Sequence, residues 1–189
     1  MSKLPTAEAE ATLARWQADE AALRTRSTAS GISRLDQVAP LSGLELFEAL
    51  LAGALPRPPI NDTLDFMLVH IEHGHAVFQG RPQFRHYNPL GTVHGGWFAT
   101  LLDSAVGCAV HSALPVGKTY TTLELKINLV RALTDKVPLV RAEGRVIHLG
   151  RSTATADARL VGPDGTLYAH ASTTCFIMDL PKPQPAQPA

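Results

Sequence analysis

The chain has 189 residues, of which 45% are hydrophobic, and its 17 basic residues balance its 17 acidic ones. This length and apolar content are enough for one domain with a sizeable core, and leave room for an appended segment. The balanced charge, with no long run of one sign, argues against a nucleic-acid binder, which usually has a basic face.

Residues 1–60 are expected to form a helical extension and a linker. The stretch from Thr6 to Arg26 is rich in Ala and Glu, and its apolar stripe of Leu13, Trp16 and Leu23 predicts a helix that lies on a surface or docks on another element. Glu20 interrupts that stripe, and the polar stretch 27–37 reads as a loop.

A second helix is predicted after Ser42. Ser42 and Glu45 have the spacing of a capping box, and an apolar helical face follows and ends near Gly53. The Pro-rich stretch 55–59 cannot continue the helix and predicts a stiff linker.

Residues 61–180 are expected to form the main domain, with two strands, one helix and four further strands. Alternating apolar residues and turn signals predict strands over 64–71, 75–80, 121–130, 140–148, 153–161 and 166–178. Within 121–130, the alternation places Leu125 on one face of the strand and Thr122 with Glu124 on the other. The Pro-, Gln- and Ala-rich residues 181–189 predict a disordered tail.

One apolar helix, from about Trp97 to Val110, is predicted between the second and third strands. Because it is apolar on nearly every face, it should be enclosed by protein, and an antiparallel sheet curled around it gives an α+β fold. Asp103 is the charge in its middle, and a buried carboxylate is costly unless it is paired, solvated or protonated. Asp103 is therefore the first candidate for a functional residue.

The start of this helix is the second candidate. Gly95 and Gly96 lack side chains that would shield the unpaired N–H groups, so that a carbonyl oxygen could approach them as in an oxyanion hole. A carboxylate that attacks the carbonyl or activates water would complete a catalytic site. From the spacing alone, a purely structural Gly pair and a hydrogen-bonded Asp explain the pattern equally well.

The pattern Asn88-x5-His94-Gly95-Gly96-x6-Asp103, followed by strands, resembles the hotdog-fold acyl-CoA thioesterases of the PaaI-like (phenylacetate-degradation) family. The resemblance implies a sheet wrapped around a long helix, hydrolysis of an acyl-CoA substrate to a free acid and CoA, and no cofactor. It also implies that the glycine N–H and the carboxylate of one site come from different subunits.

The spacing along the helix agrees with a shared site. Gly95 and Asp103 are eight residues apart, which is about 12 Å along a helix, too far for one thioester carbonyl to contact both. A homodimer is therefore expected, and the resemblance makes a tetramer built from two dimers plausible.

The resemblance assigns further roles, each with a simpler alternative. Asn88 would position the thioester or the water, or else only form a turn. His94 would orient the loop. Thr122 would support the carboxylate or the water, unless it faces solvent or the register is off by one and Thr121 has that role. Trp97, with Gly96 and Phe98, is a candidate for substrate binding.

The turn at Gly150 and Arg151 completes the candidate site residues. The resemblance places a CoA phosphate at this turn, and an exposed arginine without a ligand is the alternative.

No metal site is expected. His70, His73 and His75 cluster in the sequence, but a turn lies between His73 and His75 and no HExxH or CxxC motif accompanies them. Cys108 and Cys175 lie in apolar segments and read as reduced thiols of a cytoplasmic protein, and no apolar leader or membrane partner is indicated.

Three other functions remain open. A non-hydrolytic acyl-CoA-binding protein is the first alternative, although a costly buried carboxylate is of no use to a pure binder. A hydratase or dehydratase would pair a His with a carboxylate in a different pattern. A structural or interaction module has only the apolar helical face after Ser42 in its favour.

Overall fold

A computed structural model describes residues 6–26 and 29–181. The predicted disordered tail lies outside the described residues, apart from Pro181. The helices are α1 (Thr6–Arg26), α2 (Leu35–Val38), α3 (Gly43–Leu51), α4 (Pro59–Leu64), a short 3₁₀ helix (Phe84–His86) and α5 (Gly95–Ser112). The strands are β1 (Phe66–Glu72), β2 (His75–Gly80), β3 (Lys118–Leu129), β4 (Val140–Leu149), β5 (Thr153–Val161) and β6 (Leu167–Asp179).

The six strands form one antiparallel sheet in the order β1-β2-β4-β5-β6-β3. Helix α5 contacts every strand of this sheet, so its apolar surface is enclosed as the sequence predicted. The large buried side chains of α5, Leu101, Leu102, Val106 and Val110, are completely inaccessible to solvent. The predicted α+β hotdog architecture is confirmed.

Small residues allow the helix to lie close to the sheet. Ala142, Ala154, Ala156 and Ala158 are buried on β4 and β5. At Gly144, an added Cβ would lie 2.2 Å from the carbonyl oxygen of Ala105, which leaves no room for a side chain. The backbones of β4 and α5 are therefore in direct contact in the centre of the domain.

The N-terminal helix α1 docks on β2 and β4 through a polar cluster. Glu20 is 6% exposed and accepts hydrogen bonds from Gln79 (2.9 Å), Arg24 (2.8 Å) and Arg81 (3.1 Å). Burial raises the pKa of Glu20, but the hydrogen bonds and charges of Arg24 and Arg81 outweigh it, and the net pKa is lowered. Glu20 thus anchors the helix rather than interrupting its docking face.

The second helix, α3, begins with the predicted capping box. Ser42 Oγ accepts the N–H of Glu45, and the Glu45 carboxylate accepts the N–H of Ser42. Phe47 is buried and belongs to the same core as α5. The helix therefore packs on the main domain, as expected for its apolar face.

Two boundaries in the extension differ from the prediction. The loop predicted over 27–37 contains the start of the short helix α2, and the Pro-rich linker ends in α4 because Pro59 occupies the first turn, where its missing N–H costs nothing. Asp65 then adopts a left-handed conformation (φ 49°), so that β1 begins at Phe66 instead of Leu64.

The predicted alternation of β3 is wrong at one point. The pairing with β6 shifts register between Thr122 and Glu124, so that Leu123 is an extra, bulged residue and is 60% exposed. Because a bulge reverses the alternation, Thr122 lies on the same face as Leu125, towards α5.

Candidate active site

The loop before α5 is closed by a histidine cap. His94 is the N-cap residue, and its Nδ1 accepts the N–H of Gly96 at 2.9 Å, while its carbonyl accepts the N–H of Trp97 at 3.0 Å. This side-chain hydrogen bond across two residues orients the loop. The N–H of Gly96 is thereby occupied.

The N–H of Gly95 makes no hydrogen bond within residues 6–26 and 29–181. It lies at the positive end of the α5 dipole, beside an open cavity of about 270 Å³. The cavity is lined by Asn88, Thr92, Val93, Gly95, Phe98, Leu129, Val130, Arg131 and Ala132. A carbonyl oxygen that entered this cavity could accept the unpaired N–H.

Asn88 stabilises the loop that forms one wall of the cavity. Its Oδ1 accepts the N–H of Leu90 (2.9 Å) and of Thr92 (3.3 Å), and its Nδ2 donates to Thr92 Oγ1 (3.0 Å). This is a turn-forming arrangement of the kind that Asn favours. The amide group still has a second Nδ2 hydrogen with which it could meet a ligand.

Asp103 lies two turns further along α5 and is half-buried. Its Oδ1 accepts a hydrogen bond from Thr122 Oγ1 at 3.2 Å, which reaches it because of the bulge in β3. Thr122 and Asp103 are therefore neighbours, as the resemblance implies. Thr121 lies before the bulge and is exposed, so Thr122, and not the alternative Thr121, is the threonine next to Asp103.

The other nucleophilic groups near Asp103 are poor candidates. Burial, together with the Asp103 charge, raises the pKa of the Cys108 thiol, and burial also raises the pKa of the Cys175 thiol. Burial and neighbours that include Cys108 and Asp103 raise the pKa of Tyr120 well above its usual value. All three groups stay protonated at neutral pH, so the carboxylate is the better nucleophile or base in this neighbourhood.

Two residues predicted to contact the substrate, Trp97 and Gly96, are not among those that line the Gly95 cavity. Trp97 is 3% exposed, donates its indole N–H to the carbonyl of Leu64 (2.9 Å) and stacks on His86. Its ring packs in the core, whereas the next residue, Phe98, lines the cavity. Gly96 contributes the N–H that His94 already caps.

The turn of Gly150 and Arg151 lies at the Asp103 end of the sheet. Gly150 donates its N–H to the carbonyl of Thr153 (2.8 Å), and the following residues of β5 pair with Phe176 and Cys175 of β6. Cys175 in turn pairs with Thr122. Arg151 is exposed beside this end of the sheet.

The sequence reasoning missed Arg131 and Leu129. Arg131 is exposed at the cavity rim, directly after β3. Leu129 Cδ1 would lie 3.0 Å from a Cβ added at Gly95. Arg131 could be seen in the sequence as a cation after a strand. Its position at the cavity follows only from the tertiary structure, in which the end of β3 lies beside the start of α5.

No helix within the described residues is long and apolar enough to cross a membrane.

Comparisons with known proteins agree with this architecture. Residues 90–169 match the thioesterase superfamily. The chain is 34% identical over 97 residues to a candidate esterase of Pseudomonas aeruginosa, a match that covers 51% of this chain and 66% of that protein. It is 26% identical over 118 residues to 1,4-dihydroxy-2-naphthoyl-CoA hydrolase of Listeria monocytogenes serotype 1/2a, covering 62% and 94% of the two chains.

A solved structure extends the likeness to three dimensions. A candidate thioesterase from Ralstonia eutropha JMP134, a phenylacetic acid degradation-related protein, superposes with a TM-score of 0.63 at 27% identity, and the match covers 69% of this chain and 98% of that one. The family match over residues 90–169 takes in the Gly95 loop, α5 and strands β3 to β5, and together with these likenesses it is consistent with a hotdog-fold thioesterase.

Proposed function

We propose that this protein hydrolyses an acyl-CoA thioester to a free acid and CoA, with the Gly95 N–H polarising the carbonyl and Asp103 of the facing subunit acting as nucleophile or general base. The observation that carries the proposal is the half-buried Asp103 on an otherwise apolar helix, with Thr122 donating a hydrogen bond to it. A purely structural carboxylate would instead be expected to have its oxygens fully satisfied within the fold.

The carbonyl side of the reaction rests on the start of α5. Gly95, at the helix terminus, lines the 270 Å³ cavity, and its N–H is unpaired within the described residues. An N–H fixed before the reaction begins stabilises the developing oxyanion without reorganisation, and the loss of one such donor typically costs about 10²- to 10³-fold in turnover. Asn88, held by Thr92, also lines this cavity.

The carboxylate side has two chemical routes. In the first, Asp103 attacks the carbonyl carbon, CoA leaves as the thiolate and water hydrolyses the resulting anhydride. In the second, Asp103 takes a proton from water, the hydroxide adds to the carbon and the tetrahedral intermediate expels the thiolate. Thr122 orients the carboxylate in both routes.

The active unit is proposed to be a homodimer, with a dimer-of-dimers tetramer as a further possibility. Two chains are proposed because eight residues of helix separate Gly95 from Asp103, so one carbonyl cannot contact both in one chain. The strand at one edge of the sheet, β3, exposes Leu123 (60%) and Leu129 (54%), and Val130 (52%) follows it. Exposed apolar residues at a sheet edge, two of which line the cavity, are well suited to being covered by a second copy.

The proposed substrate is an acyl-CoA, as the name of the Listeria relative indicates for that protein. Phe98 supplies an apolar wall for the acyl group, and Arg131 and Arg151 are exposed cations that could meet CoA phosphates. The size of the acyl group is left to a panel assay.

The test is a thiol-release assay over a panel of acyl-CoAs with the wild type, Asp103→Asn and the control Asp157→Asn, which changes an exposed aspartate on β5. We expect Asp103→Asn to lose at least about 10³-fold in turnover because the negative charge is removed while the shape is kept. Asp103→Asn should still bind acyl-CoA and should melt at nearly the same temperature as the wild type. If Asp103→Asn binds acyl-CoA but the wild type releases no thiol from any of them, the protein is a binder and not a hydrolase.

A further inference from the structure

The hairpin of β1 and β2 brings three metal-binding side chains together at the end of the domain opposite Gly95. His70 and Glu72 are two residues apart on β1, and Glu72 is paired with His75 across the tight turn. A register shift between Leu68 and His70 sets which side chains share this face. Nothing in the proposed hydrolysis uses these residues.

The distances between the candidate ligand atoms suit one ion. Glu72 Oε1 lies 3.1 Å from His70 Nε2, and Glu72 Oε2 lies 3.7 Å from His75 Nδ1. One ligand atom from each of the three residues lies within 4.8 Å of the other two. Two ligand atoms bound at 2.0–2.1 Å from a tetrahedral zinc ion lie about 3.4 Å apart.

His75 has a polar group that the fold does not satisfy. Its side chain is 12% exposed, and neither Nδ1 nor Nε2 makes a hydrogen bond within the described part of the chain. A buried nitrogen without a partner destabilises a fold, and such groups are uncommon. A metal bond would give one of the two ring nitrogens a partner.

The hairpin is rigid where the three ligands meet. Gly74, in the turn, donates its N–H to Ser112 Oγ at 2.9 Å, and this hydroxyl is 2.9 Å from the carbonyl of Glu72. Ser112 ends α5, so these bonds tie the turn to the helix. The backbone that carries the ligands is therefore held in place before any ion binds, which lowers the entropic cost of binding.

We propose that His70, Glu72 and His75 form a structural binding site for a divalent transition-metal ion of the zinc class, with water completing the coordination. Two imidazoles and one carboxylate are a donor set that zinc accepts, whereas Mg²⁺ and Ca²⁺ prefer oxygen ligands. The site lies at the opposite end of α5 from Gly95, about 25 Å away along the helix. Its role is to fasten the hairpin, not to take part in hydrolysis.

The test uses the full chain without a purification tag, stripped with EDTA and titrated with ZnCl₂ by calorimetry at pH 7.5. We expect one zinc ion per chain with a dissociation constant in the micromolar range or below, and a melting temperature that rises with ZnCl₂ but not with MgCl₂ or CaCl₂. Glu72→Gln and His70→Ala change exposed side chains, so both should fold, and each should weaken binding at least tenfold. His73→Asn, in the same turn but outside the cluster, is the matched control and should bind like the wild type.

Either of two results would overturn the proposal. One is the absence of a binding isotherm at 100 µM protein with a several-fold excess of ZnCl₂. The other is equal zinc affinity in the wild type and the double variant His70→Ala/Glu72→Gln, which would place the bound ion elsewhere. The readout is binding and melting, so it stands whether or not the chain hydrolyses thioesters.

Discussion

At the scale of single residues, the candidate site depends on two hydrogen bonds. His94 Nδ1 accepts the N–H of Gly96, and Thr122 Oγ1 donates to Asp103. The first fixes the loop that carries Gly95, and the second fixes the carboxylate. Both act on groups that would contact the substrate, so their loss should alter turnover more than folding.

Thr122→Val tests the second bond. The change removes the hydroxyl and nearly keeps the shape of the side chain, and the Asp103 carboxylate should then rotate more freely. A hydrogen bond to a charged group is typically worth about 1.5–3 kcal/mol, so we expect turnover to fall by about 10- to 100-fold at a nearly unchanged KM. Thr121→Val, on the exposed face just before it, is the control and should behave like the wild type. Equal losses in both variants would indicate a strand defect rather than a role for the Thr122 hydroxyl.

At the scale of elements, two glycines at the surface of helix α5 have different roles, one at the start of the helix and one on the strand that packs against it. Gly95 opens the helix beside the cavity, and an added Cβ there would meet only the flexible end of Leu129, at 3.0 Å. Gly144, on β4, faces α5, and an added Cβ would lie 2.2 Å from the Ala105 carbonyl oxygen. One glycine leaves space for a ligand, and the other lets helix and sheet approach each other.

Gly95→Ala and Gly144→Ala should therefore fail in different ways. For Gly95→Ala we expect a melting temperature within a few degrees of the wild type but at least about tenfold slower turnover, because the methyl group obstructs the carbonyl's approach to the N–H. For Gly144→Ala we expect a loss of at least about 2 kcal/mol in the free energy of unfolding, because overpacking against backbone cannot relax. Urea unfolding and thiol release measure both. A Gly95→Ala protein that loses stability and turnover together would assign the glycine to packing.

The extension α1 makes a separate prediction at this scale. Glu20→Gln removes the buried charge that Arg24 and Arg81 contact, so α1 should dock less tightly. These arginines are 46% and 40% exposed, and water screens their attraction, so we expect a modest cost of about 1–2 kcal/mol. Hydrogen exchange over residues 6–26 should rise while α5 stays protected. Glu10→Gln, exposed on the same helix, is the control; faster exchange there too would show that the Glu20 cluster is not what holds α1.

At the scale of the whole molecule, the Gly95 N–H and the Asp103 carboxylate of one helix lie too far apart to act on the same carbonyl. Leu129, an exposed apolar residue of the edge strand β3, lies at the Gly95 cavity. A site shared between two copies is compatible with both observations. It also predicts that an isolated protomer is inactive.

Mixing two inactive variants tests the shared site. One chain carries Asn88→Ala/Gly95→Val, and the other carries Asp103→Asn. If each site takes its aspartate from the neighbour, a mixed dimer has one site with every lesion and one with none, and activity should return to as much as about half of wild type per heterodimer. If all groups came from one chain, mixing would restore nothing even after subunit exchange is verified by mass spectrometry, and the shared-site proposal would be rejected.

Local sequence patterns were enough to predict the order of strands and helix along the chain, the enclosure of α5 and the spacing of Asn88, Gly95 and Asp103. These features follow from local periodicity and from helix geometry, which neighbouring residues encode. The capping box at Ser42 and the turn at His73 and Gly74 were predictable for the same reason.

Only the tertiary structure decided the features that depend on contacts between distant residues. The bulge at Leu123 turns Thr122 towards Asp103, because pairing with β6 sets the register and one extra residue reverses every side chain before it. Trp97 faces the core and Phe98 the cavity because the sheet curls around one side of α5. Glu20 acquires its hydrogen-bond partners Gln79 and Arg81 from a distant part of the chain. Local periodicity carries no information about such pairings, which tertiary packing alone brings together.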